Sequence, residues 1–291
     1  MKMIIKNEFG SFQLGGGNNS SARIESIVGL GLPTKEPERI TFSGQAGQMT
    51  KSVRDLSRTI TVAFDFNGGQ KEIERLYRIL YHPVELLFTF GERKRKIAAR
   101  CINPQEVESI MYQKLYRYAI QFVCDNPYFN DFYNTKIAVF NRADQFPNVL
   151  EDGNWYVQLP AVATVRTTTA NILNSGEIEV YPIIHIYNSA GQIALMSEFS
   201  GIMITNESTG VKIELDYSPA DSEEITIDLA KMKITSNISG SIIYYITDDT
   251  DLSKFLLQLG DNKITCENLT GSGNLSAIVE YTNNYAMAVM K

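Results

Sequence analysis

The chain has 291 residues, 44% of them hydrophobic and 21% charged, with a formal net charge of −6 at pH 7. That length and apolar content allow a large core and predict two domains, while the acidic balance argues against a protein whose main task is gripping phosphates. No run approaches the ~20 apolar residues of a membrane span, and the short apolar start is no secretion signal, so a cytoplasmic product without membrane association is expected. Cys101, Cys124 and Cys266 are an odd, scattered set that reads as buried thiols rather than a disulfide framework or zinc site.

In chain order, residues 3–14 predict a short hairpin turning at Asn7-Glu8-Phe9-Gly10. The glycine-rich residues 15–21 lack the spaced glycines and the Lys-Ser/Thr of a phosphate loop, and read as a plain flexible loop. Residues 24–30 predict a strand. Residues 31–50, with Pro33, Pro37, Gly44 and Gly47, read as a long connection that either wraps its own domain or, in an oligomer, reaches a neighbour.

From Arg54 to Phe129 the apolar period changes from 2 to 3.6 and back. Ile60, Val62, Phe64 and Phe66 alternate with polar or small residues, as in a strand with one buried face. Ile73, Leu76, Tyr77 and Leu80 then form the stripe of an amphipathic helix over residues 70–82, stopped by Pro83. A hairpin over residues 86–102 follows, with Gly91-Glu92-Arg93-Lys94-Arg95 at its tip, and Tyr116 to Cys124 alternate as a last strand. Strands around one helix predict an antiparallel α+β domain over residues 1–131. Beyond it, β-like runs recur about every ten residues, including residues 178–180, 183–187, 202–204, 211–215, 225–227, 242–246, 262–265 and 277–281. With turn-forming residues between them, they predict an all-β sandwich over residues 132–291, so the fold class is mainly β.

No constellation for catalysis emerges. His82 and His185 are the only histidines, and they read as structural; no Ser-His-Asp, Cys-His or metal-spaced His pair can be built from them. The carboxylates of Glu223-Glu224, Asp216, Asp221 and Asp248-Asp249-Thr250-Asp251 read as solvated turns. A carboxylate glycosidase needs two of them across a cleft, and the Asp248 to Asp251 run lacks the glycine and distal glutamate of a calcium loop. No enzyme, cofactor or metal is therefore expected. Arg93, Lys94, Arg95 and Lys96 form the strongest charge run. It either keeps a hairpin tip soluble, meets an acidic partner, or touches nucleic acid; replacing all four by Ser is expected to spare folding but impair assembly. Trp155, Tyr156, Tyr244 and Tyr245 are candidates for an exposed saccharide or docking surface.

Two sets of short motifs together resemble the distal tail proteins of tailed bacteriophages and phage-tail-like particles. One runs from Arg58-Thr-Ile-Thr-Val-Ala-Phe66 through Ile73-Glu-Arg-Leu-Tyr77 to Phe122-Val-Cys-Asp-Asn-Pro-Tyr-Phe129. The other comprises Gly176-Glu177, Tyr181-Pro182-Ile-Ile-His-Ile186, Ile204-Thr-Asn206, Thr209-Gly210, Glu224-Ile-Thr-Ile-Asp228 and Leu259-Gly-Asp-Asn-Lys-Ile264. The resemblance implies a homo-hexameric ring hub joining the tail tube protein to a tail-tip or baseplate hub protein. Its first domain would surround the channel, and its outer domain, galectin-like, would dock a receptor-binding protein. It also implies a place in the virion tail after assembly in the host cytoplasm. Six copies would carry 6 × −6 = −36, so no specific nucleic-acid binding is expected of the conduit. The alternative is a saccharide-binding β-sandwich acting in host adhesion.

Overall fold

In the computed structural model, residues 1–16, 21–44, 46–110, 115–142, 166–167, 169–188, 200–220, 223–270 and 275–288 are described. The chain is mainly β and antiparallel, with one α-helix among these residues. It divides into two units, Met1–Tyr133 with Asn284–Lys291, and Asn134–Asn283. None of the described helices is long and apolar enough to cross a membrane.

The first unit contains β1 (Lys2–Asn7), β2 (Gly10–Gly15), β3 (Ala22–Val28), β4 (Lys35–Ile40), β5 (Met49–Asp55), β6 (Arg58–Phe66), α1 (Gln70–Leu80), β7 (Val84–Phe90), β8 (Arg93–Ile110), β9 (Leu115–Cys124) and β10 (Phe129–Asp131). Its main sheet runs β2-β1-β7-β8-β9-β6-β3. The alternation of β6 has the predicted consequence: Ile60, Val62, Phe64 and Phe66 are buried, and β9 lays Tyr118, Ile120 and Phe122 beside them in register. The ends of the sheet curl toward one another, so that a Cβ on Gly15 of β2 would lie 3.1 Å from Ile24 Cδ1 of β3.

Helix α1 covers this core with Leu76, Ile79 and Leu80, while Tyr77 is exposed. The buried stripe is thus rotated from the predicted one: Ile79 replaces Tyr77 on the inner face, and the phenol stays in water. Each buried side chain contributes roughly 1.5–3 kcal/mol by removal from water. The helix ends as Pro83 requires, with Tyr81 and His82 donating their N–H groups to Tyr77 and Ile79. Pro104 lies within β8, where beyond Arg100 the strand pairs only with β9, so its other edge there has no neighbour among the described residues and a proline is tolerated.

Two readings of the first unit change. Residues 31–50 are not a plain connection, because β4 and β5 form a separate two-stranded sheet. Charged side chains and Pro37 hid this hairpin from any apolar periodicity. The chain's last residues also return: β22 (Asn284–Tyr285) pairs with β10, matching Phe129 to Tyr285 and Asn130 to Asn284. Asn284–Lys291, read from the sequence as part of the outer domain, therefore belongs with the first unit, and the second unit is an insertion between two paired strands.

The second unit contains β11 (Thr135–Arg142), β12 (Arg166–Thr167), β13 (Thr169–Asn174), β14 (Ile183–Asn188), β15 (Ser200–Asn206), β16 (Val211–Leu215), β17 (Glu224–Asp228), β18 (Lys233–Ser236), β19 (Gly240–Ser241), β20 (Gly260–Thr270) and β21 (Leu275–Tyr281). One sheet runs β12-β11-β21-β14-β17-β18-β19 and the other β13-β20-β15-β16. Inward side chains from both, including Ile184, Ile227 and Val279 from the first and Ile172, Ile204 and Ile213 from the second, share one core. This is the layering of a β-sandwich. Residues 242–246, expected as a strand, instead carry a 3-10 turn at Ile243–Tyr245, leaving only Ile246 bridged to Leu215. Ile242 supplies the buried contact that the apolar run promised.

Gly29 follows β3 with a φ of +96°, and a Cβ there would lie 2.1 Å from the backbone oxygen of Thr59. Both the left-handed conformation and the contact exclude a side chain. Gly29→Ala is expected to cost roughly 3 kcal/mol in denaturant unfolding. A loss below about 0.5 kcal/mol would show that the backbone relaxes there.

Candidate functional site

The most exposed element of the first unit is the β4–β5 arm, in which every residue except Asp55 is exposed. Cross-strand ion pairs hold it together: Arg54 Nε lies 2.8 Å from Glu36 Oε2, and Lys51 Nζ lies 3.2 Å from Glu38 Oε1. A bulge leaves Lys51 without a register partner, so that Lys51 and Ser52 both reach Glu38. Surface pairs of this kind contribute at most about 1 kcal/mol each, and a lone hairpin is marginal in water. The arm nevertheless offers solvent two apolar cross-strand pairs, Pro37 with Val53 and Ile40 with Met49. Phe42, just beyond β4, is also exposed.

The base of the arm, by contrast, is fastened. Leu56 N–H donates to Thr34 O, Lys35 pairs with Asp55 at 3.6 Å, and Tyr128 Oη donates to Asp55 Oδ2 at 2.8 Å. Burial and the Asp55 carboxylate push the Tyr128 phenol up to about 12, so it stays a donor. Beside this base, Arg58 is buried at the start of β6. Its guanidinium donates to Pro127 O at 2.7 Å, Gly29 O at 2.7 Å, Gly31 O at 2.5 Å and Ala286 O at 2.6 Å, and it lies 4.6 Å from the Phe129 ring centroid. One side chain thus ties together the exit of β3, the turn after β9 and the returning C-terminal segment, whose Ala288 N–H also donates to Leu30 O. Burial lowers the Arg58 pKa, and burial pushes the neighbouring Cys124 thiol up to about 12. The cation is therefore held mainly by carbonyl oxygens. No sequence motif announces this cluster, because its acceptors are backbone atoms from three distant segments.

The four basic residues do not act as one patch. Arg95 pairs with Asp131 at 2.8 Å and lies 3.6 Å from the Tyr285 ring centroid, so it clasps β10 and β22 to the sheet. Lys96 faces Glu85 at 3.7 Å, and Lys94 lies 5.8 Å from the Phe132 ring. Arg93 and Lys94 are the exposed pair. Replacing all four would therefore cut an internal clasp as well as a surface charge. This differs from the expectation that folding would be spared.

Trp155 and Tyr156 lie outside the described residues. Tyr244 and Tyr245 are brought together with a third ring that the sequence did not suggest: centroids are 4.6 Å apart between Tyr244 and Tyr245, and 4.9 Å between Tyr245 and Tyr217. Beneath them sits Glu223, 1% exposed. Tyr217 Oη donates to it at 2.7 Å, Ala220 N–H donates to it at 2.7 Å, and Ser236 Oγ also donates. Burial opposes its charge, but these hydrogen bonds outweigh burial and hold the carboxyl below its usual range. A depressed folded pKa means that this stabilisation is present above the unfolded carboxyl pKa, about 4.3, and is lost as pH falls through the lower folded value. Glu223→Gln is expected to cost about 1–3 kcal/mol at pH 7. The gap from the parent should narrow in melts taken below about pH 4; a gap independent of pH would contradict the charge-based account.

His82 stacks on Phe9 at 4.1 Å. His185 lies between two glutamates, with Nδ1 3.3 Å from Glu224 Oε1 and Nε2 3.4 Å from Glu280 Oε2, the latter without hydrogen-bond geometry. Asp251 accepts from Ser253 and Lys254, which lower its pKa to about 2. Among the described residues, no group of three His, Cys, Asp or Glu could hold a metal ion.

Charge is divided unevenly. Of the 27 Lys and Arg, 19 fall in the first unit against 14 of the 33 Asp and Glu, giving 19 − 14 = +5; the second unit carries 8 − 19 = −11. The inference from overall charge to a conduit indifferent to DNA therefore does not extend to the first unit taken alone.

Residues 175–285 match the family of siphovirus-type tail components, in its C-terminal domain. The crystal structure of the SPP1 Dit protein, described as a paradigm of hub adsorption apparatus in phages infecting Gram-positive bacteria, is similar in fold. The TM-score is 0.62 at 13% identity, over 91% of this chain and 93% of that one. A chain of the phage P2 baseplate in its activated conformation with calcium aligns at a TM-score of 0.50 and 11% identity, over 96% and 97%. No curated protein matches the sequence.

Proposed function

We propose that this chain is a distal tail protein, a structural phage component that joins the tail tube to the baseplate or tip. Phage tail and baseplate hub proteins are what the chain resembles over both units, and the agreement of fold across 91% of its length with the SPP1 hub protein is the observation that carries the reading. The mechanism is geometric. Six first units close a ring around the channel, with each arm reaching a neighbour, and the outer β-sandwich docks host-recognition components. The arm supports this part: two apolar pairs and a pair of open strand edges have no cover among the described residues of their own unit. Catalysis plays no part in the function.

Light scattering on the purified full chain, with negative-stain electron microscopy of the same fraction, tests the reading. Six-membered open rings are expected. Strictly monomeric protein that also fails to join purified tail tubes would overturn it. A second reading, saccharide binding by the outer unit, draws on the exposed ring of Tyr244, and a glycan array with no signal would retire it.

A further inference from the structure

The second unit carries an aromatic surface whose surroundings define the chemistry of its occupant. Tyr244 is 71% exposed and continues, through Tyr245, onto Tyr217. The shelf is held firmly. Tyr217 is fixed by Glu223, Asp216 N–H donates to Tyr245 O at 2.9 Å, and Thr247 N–H donates to Glu214 O at 3.1 Å. The turn at Ile243–Tyr245 is thereby pinned along β16, so the backbone that carries its rings needs no ordering on binding.

The rim is acidic. Asp216 and Asp248 are exposed and make no ion pair among the described residues. Asp249 is 81% exposed, and its contact with Lys212 is a loose 3.7 Å, while that lysine lies closer to Glu214 at 3.2 Å. Electron-rich rings with carboxylates a few residues away in the chain favour a cation held over a ring with its N–H groups directed to a carboxylate. The −11 of the whole unit steers the same kind of partner.

We propose that the shelf of Tyr217, Tyr245 and Tyr244, with Asp216, Asp248 and Asp249 at its edge, is the docking surface for a basic, arginine-bearing segment of a partner protein. The proposal rests on the hub reading for its biological setting, in which the outer unit docks other tail components.

Fluorescence anisotropy with the full chain and a labelled peptide of alternating Arg and Thr tests it, with an alternating Glu and Thr peptide as control. The Arg peptide is expected to bind, to weaken between about 50 and 300 mM NaCl, and to lose at least about tenfold in affinity in Tyr244→Ser and in Asp248→Asn/Asp249→Asn. The charge-matched variant Asp261→Asn/Glu267→Gln, on β20, is expected to bind as the parent does. Equal loss in that variant would reduce the effect to net charge and overturn the site. So would absence of binding, or a glycan array signal abolished by Tyr244→Ser. Self-association of the parent that Tyr244→Ser abolishes would make a second copy the occupant, and would likewise overturn it. Light scattering and tail-tube binding on the same samples separate the two readings: rings without peptide binding overturn only the docking surface, whereas peptide binding by protein that forms no rings and fails to join purified tail tubes overturns only the hub.

Discussion

Arg58→Leu is expected to destabilise the first unit by roughly 3–5 kcal/mol. Hydrogen bonds from a charged donor contribute about 1.5–3 kcal/mol each, and Arg58 makes four, to Pro127, Gly29, Gly31 and Ala286. Against that sum stands the desolvation of the guanidinium, several kcal/mol, which leucine does not incur. The remainder is still large because the substitution orphans carbonyls in three segments at once. Arg58→Lys should recover little, since a point charge on a flexible stem cannot span four acceptors as a planar fork does. Denaturant unfolding of both variants provides the check. A loss below about 1 kcal/mol for Arg58→Leu would mean that water satisfies the carbonyls.

The second large effect is on assembly rather than stability. Val53→Asp combined with Met49→Ser removes apolar surface from both exposed pairs of the arm, at positions that touch no core. Unfolding of the first unit is expected to change by no more than about 0.5 kcal/mol. Rings should nevertheless be lost, because a desolvated carboxylate would have to enter the contact between neighbours. Light scattering and negative-stain imaging of this variant beside the parent decide the matter, and intact rings would remove the arm from the interface. Arg58 links the two predictions physically, since it fastens the strand exit from which the arm departs while leaving the arm itself free.

What was legible in the sequence depended on how far apart the interacting residues lie. The alternation in β6 and β9 and the Pro83 stop could be read because period and backbone restriction are local properties. The inner face of α1 was read with one residue wrong, Tyr77 in place of Ile79, since the two flank the Leu76–Leu80 stripe on opposite sides and only the contacting strands decide which side is covered. The arm was invisible because cross-strand ion pairs between residues up to 20 apart leave no apolar rhythm. Tyr244 and Tyr245 were found as an adjacent aromatic pair. Tyr217 and the buried Glu223 were not, because their association is created by packing.

By itself the sequence determined the mainly antiparallel β character, a helix in the first unit and the resemblance to tail hub proteins. All of these are written in local period, composition and short motifs. Only the tertiary structure decided that the C-terminal residues return to the first unit, that Arg95 is a clasp rather than a bare surface charge, and that a net charge of −6 is the sum of +5 and −11. Those facts depend on which distant segments meet, and the chain closes such contacts for the free energy of the whole fold rather than of any one stretch.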